Sequence, residues 1–253
     1  MNFSGKTAFI TGAGGFIGSD NARKLASLGA SVAVCDINEA NVNKTVEEIK
    51  QAGGRAIGIV TDVTSSQSVD DAVKRTVDTF GGIDMAIHVA GGSARKKMKK
   101  LVEQSDEVIE SVLNINLLGA FWVSRAAARE MIKQGRGGKI LCYSSIIGVC
   151  GGIGCTDYAA AKGGISSFVK SLAKELGEYQ INVNAIAPGV VMRPDEPFDV
   201  EERAIKTNLF HKRCTANDVS ELAAFLVSDA AGFVTGQTYV IDGGRSLSLK
   251  GSD

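Results

Sequence analysis

The 253-residue chain predicts an α/β fold: a single doubly wound domain on a seven-stranded parallel sheet. Three observations carry that expectation. Short apolar runs alternate with longer amphipathic ones from end to end. Several short runs, such as Met85-Ala86-Ile87 and Lys139-Ile140-Leu141-Cys142, read as strands buried on both faces. A glycine cluster joins the first apolar run to the first amphipathic one. No repeat or shift in composition breaks the pattern, so residues 1–253 are expected to form one domain.

The first strand, 7–11, runs into Gly12-Ala13-Gly14-Gly15-Phe16-Ile17-Gly18. A helix is expected over 17–28, apolar at Ile17, Ala22, Leu25, Ala26 and Leu28, and stopped by Gly29. Strand, glycine turn and helix together set backbone N–H groups and a helix N-terminus against a phosphate. Glycine suits the turn because a side chain would block a pyrophosphate. A glycine turn with no ligand is the plainer alternative. The second strand, 31–35, ends at Asp36, followed by Ile37. An acid at that place can accept hydrogen bonds from ribose hydroxyls and repel a 2′-phosphate, which argues for NAD(H) over NADP(H). A helix cap or a solvated turn is the alternative reading of Asp36.

Further strands are expected at 55–61, 84–89, 138–144, 181–187 and 237–241, and further helices at 39–52, 66–80, 105–134, 157–177 and 217–228. The stretch 188–214, with Pro188, Pro194 and Pro197, reads as one long irregular connection, of the kind that forms a lid. Ligands of open parallel sheets bind beyond the carboxyl ends of the strands. Those ends carry Gly12 to Gly18, Asp36, Asp62, Ala90-Gly91-Gly92, Ser144-Ser145 and Pro188-Gly189, so all converge on one edge.

Tyr158 and Lys162 add proton chemistry. Four residues apart, they share one face of a helix, with Ser145 upstream. A phenol titrates near pH ~10, and a fixed ammonium beside it stabilises the phenolate and lowers that value. Taken alone, Tyr-x-x-x-Lys is also just two residues on a solvated helix.

Composition sets limits. Lys+Arg and Asp+Glu are 28 each, so no global field favours nucleic acid or an anionic membrane. No apolar stretch approaches a membrane span, and Met1 to Lys6 does not read as a signal peptide. Five cysteines without Cys-x-x-Cys spacing fit reduced thiols and a cytoplasmic location. With two histidines and no ligand spacing, no metal site is expected.

In this order and spacing the residues resemble the short-chain dehydrogenase/reductase family over nearly the whole chain. The matching pieces are Thr11-Gly12 through Gly18, Asp62-Val63, Ala90-Gly91, Asn116-Leu117, Ser144-Ser145, Tyr158 to Lys162, Asn184 to Gly189, Thr235-Gly236-Gln237 and Asp242-Gly243-Gly244. The resemblance implies a Rossmann fold and hydride transfer between NAD(H) and a secondary alcohol or ketone. It implies Tyr158 as general acid/base, Lys162 as its pKa-lowering partner and ribose contact, Ser145 on the substrate oxygen, and Asn116 anchoring a relay water. The cofactor would meet Gly12, Gly14, Gly15, Phe16, Ile17, Gly18, Asp36, Ile37, Asp62, Val63, Ala90, Gly91, Tyr158, Lys162, Pro188, Gly189 and Val191. It also implies a homotetramer or homodimer, paired through the helices at 105–134 and 157–177.

Some positions depart from the family pattern. Phe16 stands where a glycine is usual, and Gly12-x-x-Gly15-x-x-Gly18 resembles the epimerase-like branch. That leaves an NAD-dependent epimerase or dehydratase, or a non-catalytic dinucleotide-binding module, as alternatives. His88-Val89 replaces the usual Asn-Asn, with His88 either a hydrogen-bonded scaffold residue or a cofactor neighbour. Arg193 takes the place of a threonine that contacts the nicotinamide carboxamide. The basic run Arg95 to Lys100, Arg193 and His211-Lys212-Arg213 either steer an anionic substrate or form solvated loops. Cys155 is either a reactive thiol or small apolar filler.

Overall fold

The computed structural model describes residues 1–94, 97–193 and 198–247, with Asp199 and Arg203 described in backbone only. Seven parallel strands form one sheet in the order β3-β2-β1-β4-β5-β6-β7. They are β1 (Thr7–Thr11), β2 (Ser31–Asp36), β3 (Arg55–Val60), β4 (Met85–His88), β5 (Gly138–Tyr143), β6 (Ile181–Pro188) and β7 (Thr238–Ile241). The helices are α1 (Phe16–Ser27), α2 (Glu39–Gln51), α3 (Ser66–Phe80), α4 (Asp106–Leu113), α5 (Gly119–Gln134), α6 (Ile146–Cys150), α7 (Thr156–Leu176), α8 (Phe198–Lys206) and α9 (Ala216–Leu226).

The strands read as apolar runs because they bury both faces. In β1, Phe9 packs with α3, α5 and α7, while Ala8 and Ile10 on the other face pack with α1, α2 and α9. The order reverses between β1 and β4, which leaves a crevice beyond their carboxyl ends.

Two sequence expectations are corrected, and one short helix is added. The helix expected at 105–134 is two α-helices joined by a π-turn at Asn114–Leu118, where the Gly119 N–H reaches back to the Asn114 carbonyl. Apolar periodicity survives one inserted residue, so the turn left no mark in the pattern. The short α6 lies in the glycine-rich stretch after β5, capped by Ser145, whose Oγ accepts from the Ile147 N–H at 3.2 Å. The connection expected to be irregular from 188 to 214 contains α8, and Val191 bridges to Cys214 beside it. Pro194, Pro197, Arg95 and Lys96 lie outside the described residues.

Candidate active site

A cavity of about 580 Å³ opens at the carboxyl ends of the strands. Gly12, Gly15, Phe16, Ile17 and Gly18 line it from the β1–α1 turn, Asp36 and Ile37 from the end of β2, Asp62 and Val63 from the end of β3, and Ala90 and Gly91 after β4. Ser145, Tyr158, Lys162, Pro188, Gly189 and Val191 line the other side. Two expected residues stand behind the wall. Gly14 donates its N–H to Asp36 Oδ2 at 3.0 Å, and Asn116 is fully buried. Thr61, Thr64, Val89, Ile115, Tyr143, Ser144 and Arg193 also line the cavity. Most sit one position from a residue the sequence singled out; the strand-end positions were the available signal.

Close main-chain contacts fix the β1–β3 side. Gly12 has φ +71°, and a Cβ there would lie 2.5 Å from the Ala90 nitrogen, so only glycine lets the turn close against the chain after β4. Asp36 accepts from the Gly14 N–H and, through Oδ1, from the Asn38 N–H at 3.0 Å. A carboxylate offers about four lone-pair sites, so two bonds still leave acceptors facing the cavity. Asp62 Oδ1 accepts from the Thr64 N–H and hydroxyl at 2.9 and 2.7 Å.

The β5–β6 side is assembled from side chains of separate elements. A Cβ on Gly148 would lie 2.6 Å from the Gly163 nitrogen, so α6 and α7 touch backbone to backbone. That contact brings Ser145 and Lys162 to one wall. Lys162 is buried, and its Nζ donates to the Tyr143 carbonyl at 2.7 Å while lying 5.6 Å from the centre of the Tyr158 ring. Burial pulls its ammonium down from 10.5 to about 8. The backbone of α7 is itself tied to β5, since Ser144 Oγ donates to the Lys162 carbonyl at 2.7 Å. Ser145 spends a lone pair on Ile147, and among the described residues no acceptor takes its hydroxyl hydrogen.

Asn116 locks onto the neighbouring loop. Its Nδ2 donates to the Gly92 and Val112 carbonyls at 2.9 and 2.8 Å, and its Oδ1 accepts from the Gly92 N–H at 3.1 Å. His88 is buried, with Nδ1 2.9 Å from Thr11 Oγ1. It does not line the cavity, and its burial and contact with Thr11 are those of a hydrogen-bonded scaffold residue. Cys155 is buried and its thiol is pushed up by desolvation, as suits filler rather than a thiolate. Among the described residues no three His, Cys, Asp or Glu side chains gather as a metal site would require, and no helix is long and apolar enough to cross a membrane.

Comparison with known proteins agrees with this architecture. A family model described as "Enoyl-(Acyl carrier protein) reductase" matches residues 12–246. The chain is 38% identical over 248 residues to the short-chain reductase protein NovJ of Streptomyces niveus, covering 94% of this chain and 93% of that one. It is 35% identical to the 3-oxoacyl-[acyl-carrier-protein] reductase FabG of Thermotoga maritima, covering 96% and 99%. Among solved structures, a short-chain type dehydrogenase/reductase from Mycobacterium ulcerans superposes with a TM-score of 0.92 at 29% identity, covering 98% and 92%. A 7α-hydroxysteroid dehydrogenase solved with NADH and 7-oxo glycochenodeoxycholic acid gives 0.90 at 33%, covering 96% and 95%. With the sheet order, the glycine turn and the serine, tyrosine and lysine wall already in place, these matches establish that the chain belongs to the short-chain dehydrogenase/reductase family.

Proposed function

We propose that this protein is an NAD(H)-dependent oxidoreductase interconverting a secondary alcohol and a ketone, with a polar or anionic substrate. One observation carries the reading: Ser145, Tyr158 and Lys162 line the same cavity as the glycine turn and Asp36. The residues fit a dinucleotide. A Cβ on Gly15 would meet only the Gly12 carbonyl at 3.2 Å, so the turn leaves room above its amides for a phosphate. Asp36, held by Gly14 and Asn38, offers its remaining lone pairs to ribose hydroxyls and sets a negative charge where NADP(H) would bring its 2′-phosphate. Asp62 and Val63 would flank the adenine, and Gly91, Pro188, Gly189 and Val191 the nicotinamide end. A bound nicotinamide supplies the hydride acceptor or donor. A relative solved with NADH supports the same reading.

The chain's own residues handle the oxygen and its proton. Ser145 donates its unclaimed hydroxyl hydrogen to the substrate oxygen, where charge develops. Tyr158 takes the hydroxyl proton in oxidation and returns it in reduction. Lys162, charged and excluded from water, favours the phenolate. Asn116 would anchor the water that renews the proton. Arg193 lines the substrate end of the cavity, and Lys97, Lys99 and Lys100 follow β4 on the same edge. Together they would draw an anionic group. The 188–214 segment would serve as the lid over a single domain. Five free thiols fit a reducing compartment such as the cytoplasm.

Tyr158→Phe tests the reading. Turnover of alcohols, followed by absorbance of reduced nicotinamide, should fall at least about 10³-fold while NAD binding persists. Full activity would remove Tyr158 from the mechanism, and turnover without net reduced nicotinamide would favour an epimerase. Homotetramer or homodimer pairing would use α5 and α7. Between them Leu117, Phe121, Trp122, Phe168 and Leu172 line an apolar hollow of about 670 Å³, with the Phe121 and Phe168 rings 4.3 Å apart. Sedimentation of Phe121→Glu should show a smaller particle than wild type; an unchanged mass would reject pairing there.

A further inference from the structure

Two tyrosines line the cavity, and the proposed proton transfer needs only Tyr158. The other, Tyr143, reaches both walls. Its carbonyl accepts from Lys162 Nζ at 2.7 Å, and its hydroxyl donates to Asn21 Oδ1 at 3.0 Å. Asn21 lies on α1, 122 residues earlier in the chain. Its Nδ2 donates at 2.8 Å to the carbonyl of Ile17, which sits in the first turn of that helix and lines the cavity. A carbonyl can only accept, so Ile17 fixes which end of the amide is nitrogen and leaves the oxygen for the phenol. Asn21 and Tyr143 are 1% and 3% exposed, so water does not compete for the bond.

Such a pair is an unfavourable way to pack a helix on a sheet. Asparagine is a weak helix former, and an amide and a phenol both cost free energy to bury. A leucine against a phenylalanine would fill much the same space with no polar atom. What apolar packing lacks is direction, whereas a hydrogen bond fixes both distance and angle. Here the bond has a particular course. In the sheet, β4 stands between β1, which leads into α1, and β5, which ends at Tyr143. The bond therefore crosses the crevice where the strand order reverses. It ties the helix of the glycine turn to the residue that holds Lys162. Burial pushes the phenol above its ordinary 10, so the donor keeps its hydrogen through neutral and mildly alkaline pH.

We propose that Tyr143 is a positioning residue: through Asn21 it fixes the span between the glycine turn and Lys162, the span that a dinucleotide must bridge from pyrophosphate to nicotinamide ribose. The proposal rests on the NAD(H) reading of the cavity.

Two nucleotides test it. NADH bridges both walls, whereas ADP reaches only the glycine turn and the acids at the ends of β2 and β3. In Tyr143→Phe the Kd for NADH, read from its fluorescence, should rise roughly three- to tenfold, the scale of one hydrogen bond, while the Kd for ADP, read by calorimetry, stays within about twofold. Asn21→Leu should do the same. Either single variant leaves a buried group unpaired and should melt below wild type. The double variant, Asn21→Leu with Tyr143→Phe, leaves none. Its melting temperature should return toward wild type, while its Kd for NADH stays raised, no further than in the worse single variant. Stability and affinity then part, which a bond serving the fold alone does not allow. A Kd for NADH that recovers along with the melting temperature, or NADH and ADP weakened alike, would mean that the bond only steadies α1 and would sink the idea. An unchanged Kd for NADH in Tyr143→Phe would end it too. Should neither single variant fold, the double variant carries the same test with the same two nucleotides. A wild-type protein that binds neither nucleotide would overturn the NAD(H) reading and the proposal together, whereas the variant results just named overturn the proposal alone.

Discussion

The two walls of the cavity are built from different materials. Beside β1, β2 and β3 the wall is backbone and short acids held mainly by main-chain N–H groups, Asp36 by those of Gly14 and Asn38 and Asp62 by that of Thr64. Beside β5 and β6 it is side chains brought from separate elements: Ser145 at the start of α6, Tyr158 and Lys162 on α7, Arg193 beyond β6. A wall made of turns and main-chain bonds needs few side chains to hold its shape. A wall of converging side chains depends on close helix contacts, on burying a charge, and on the loops above it. The segments after α6 and β6 carry exposed apolar side chains, among them Ile153, Phe198 and Phe210.

The comparison is tested hardest at Lys162. Lys162→Met should cut kcat/KM by about 10³-fold and yet leave the protein as stable as wild type or more so. Burial holds the folded ammonium at about 8 against an ordinary 10.5, so the unfolded chain binds the extra proton between those values and wild-type stability rises with pH across that window. Below the window the buried charge carries its full cost. That cost is roughly 3 kcal/mol at about 1.4 kcal/mol per unit, offset by about 1 kcal/mol for the lost bond to Tyr143. The variant should therefore melt a few degrees higher at neutral pH, with the advantage fading as pH climbs toward 10.5. A lower melting temperature at neutral pH would mean that the substrate-side wall is held together by this lysine.

A smaller effect is expected on the other wall. Asp36→Ala should shift the ratio of kcat/KM for NAD and NADP by about 10- to 100-fold toward NADP, the scale of one or two hydrogen bonds to a charged group. The melting temperature should fall by no more than a few degrees, because only the bonds from the Gly14 and Asn38 N–H groups are lost. An unaltered ratio would contradict the ribose assignment. The smallest effect should come from the loop after β4. Replacing Lys97, Lys99 and Lys100 with glutamine should lower kcat/KM for anionic alcohols a few-fold, most clearly at low salt, and leave neutral alcohols untouched. Equal losses on both substrate classes would remove steering from the account.

The comparison also explains what could be read in advance. The glycine turn, Asp36 and Asp62 are linear motifs at strand ends, and their positions follow from chain order in a parallel sheet. Tyr158 and Lys162 were legible because both lie on one helix at a spacing of four. Tyr143 was not, since what it offers Lys162 is a backbone carbonyl, which any residue could supply. The π-turn was invisible for a similar reason: an extra residue in a helix changes the path of hydrogen bonds without disturbing apolar spacing enough to notice. His88 was singled out as unusual, but its side-chain partners could not be named from the chain alone.

Alternation of apolar runs, glycines at the first turn and acids at strand ends determined the architecture and the edge where chemistry would gather, because periodicity and turn geometry act between near neighbours. Only the folded chain decided that Lys162 is buried, that Ser145 accepts from the Ile147 N–H, that Gly14 and Asn116 stand behind the wall, and that His88 is buried against the Thr11 hydroxyl. Those are matters of burial and of contacts between residues far apart in sequence, and burial is a property of the whole packed molecule.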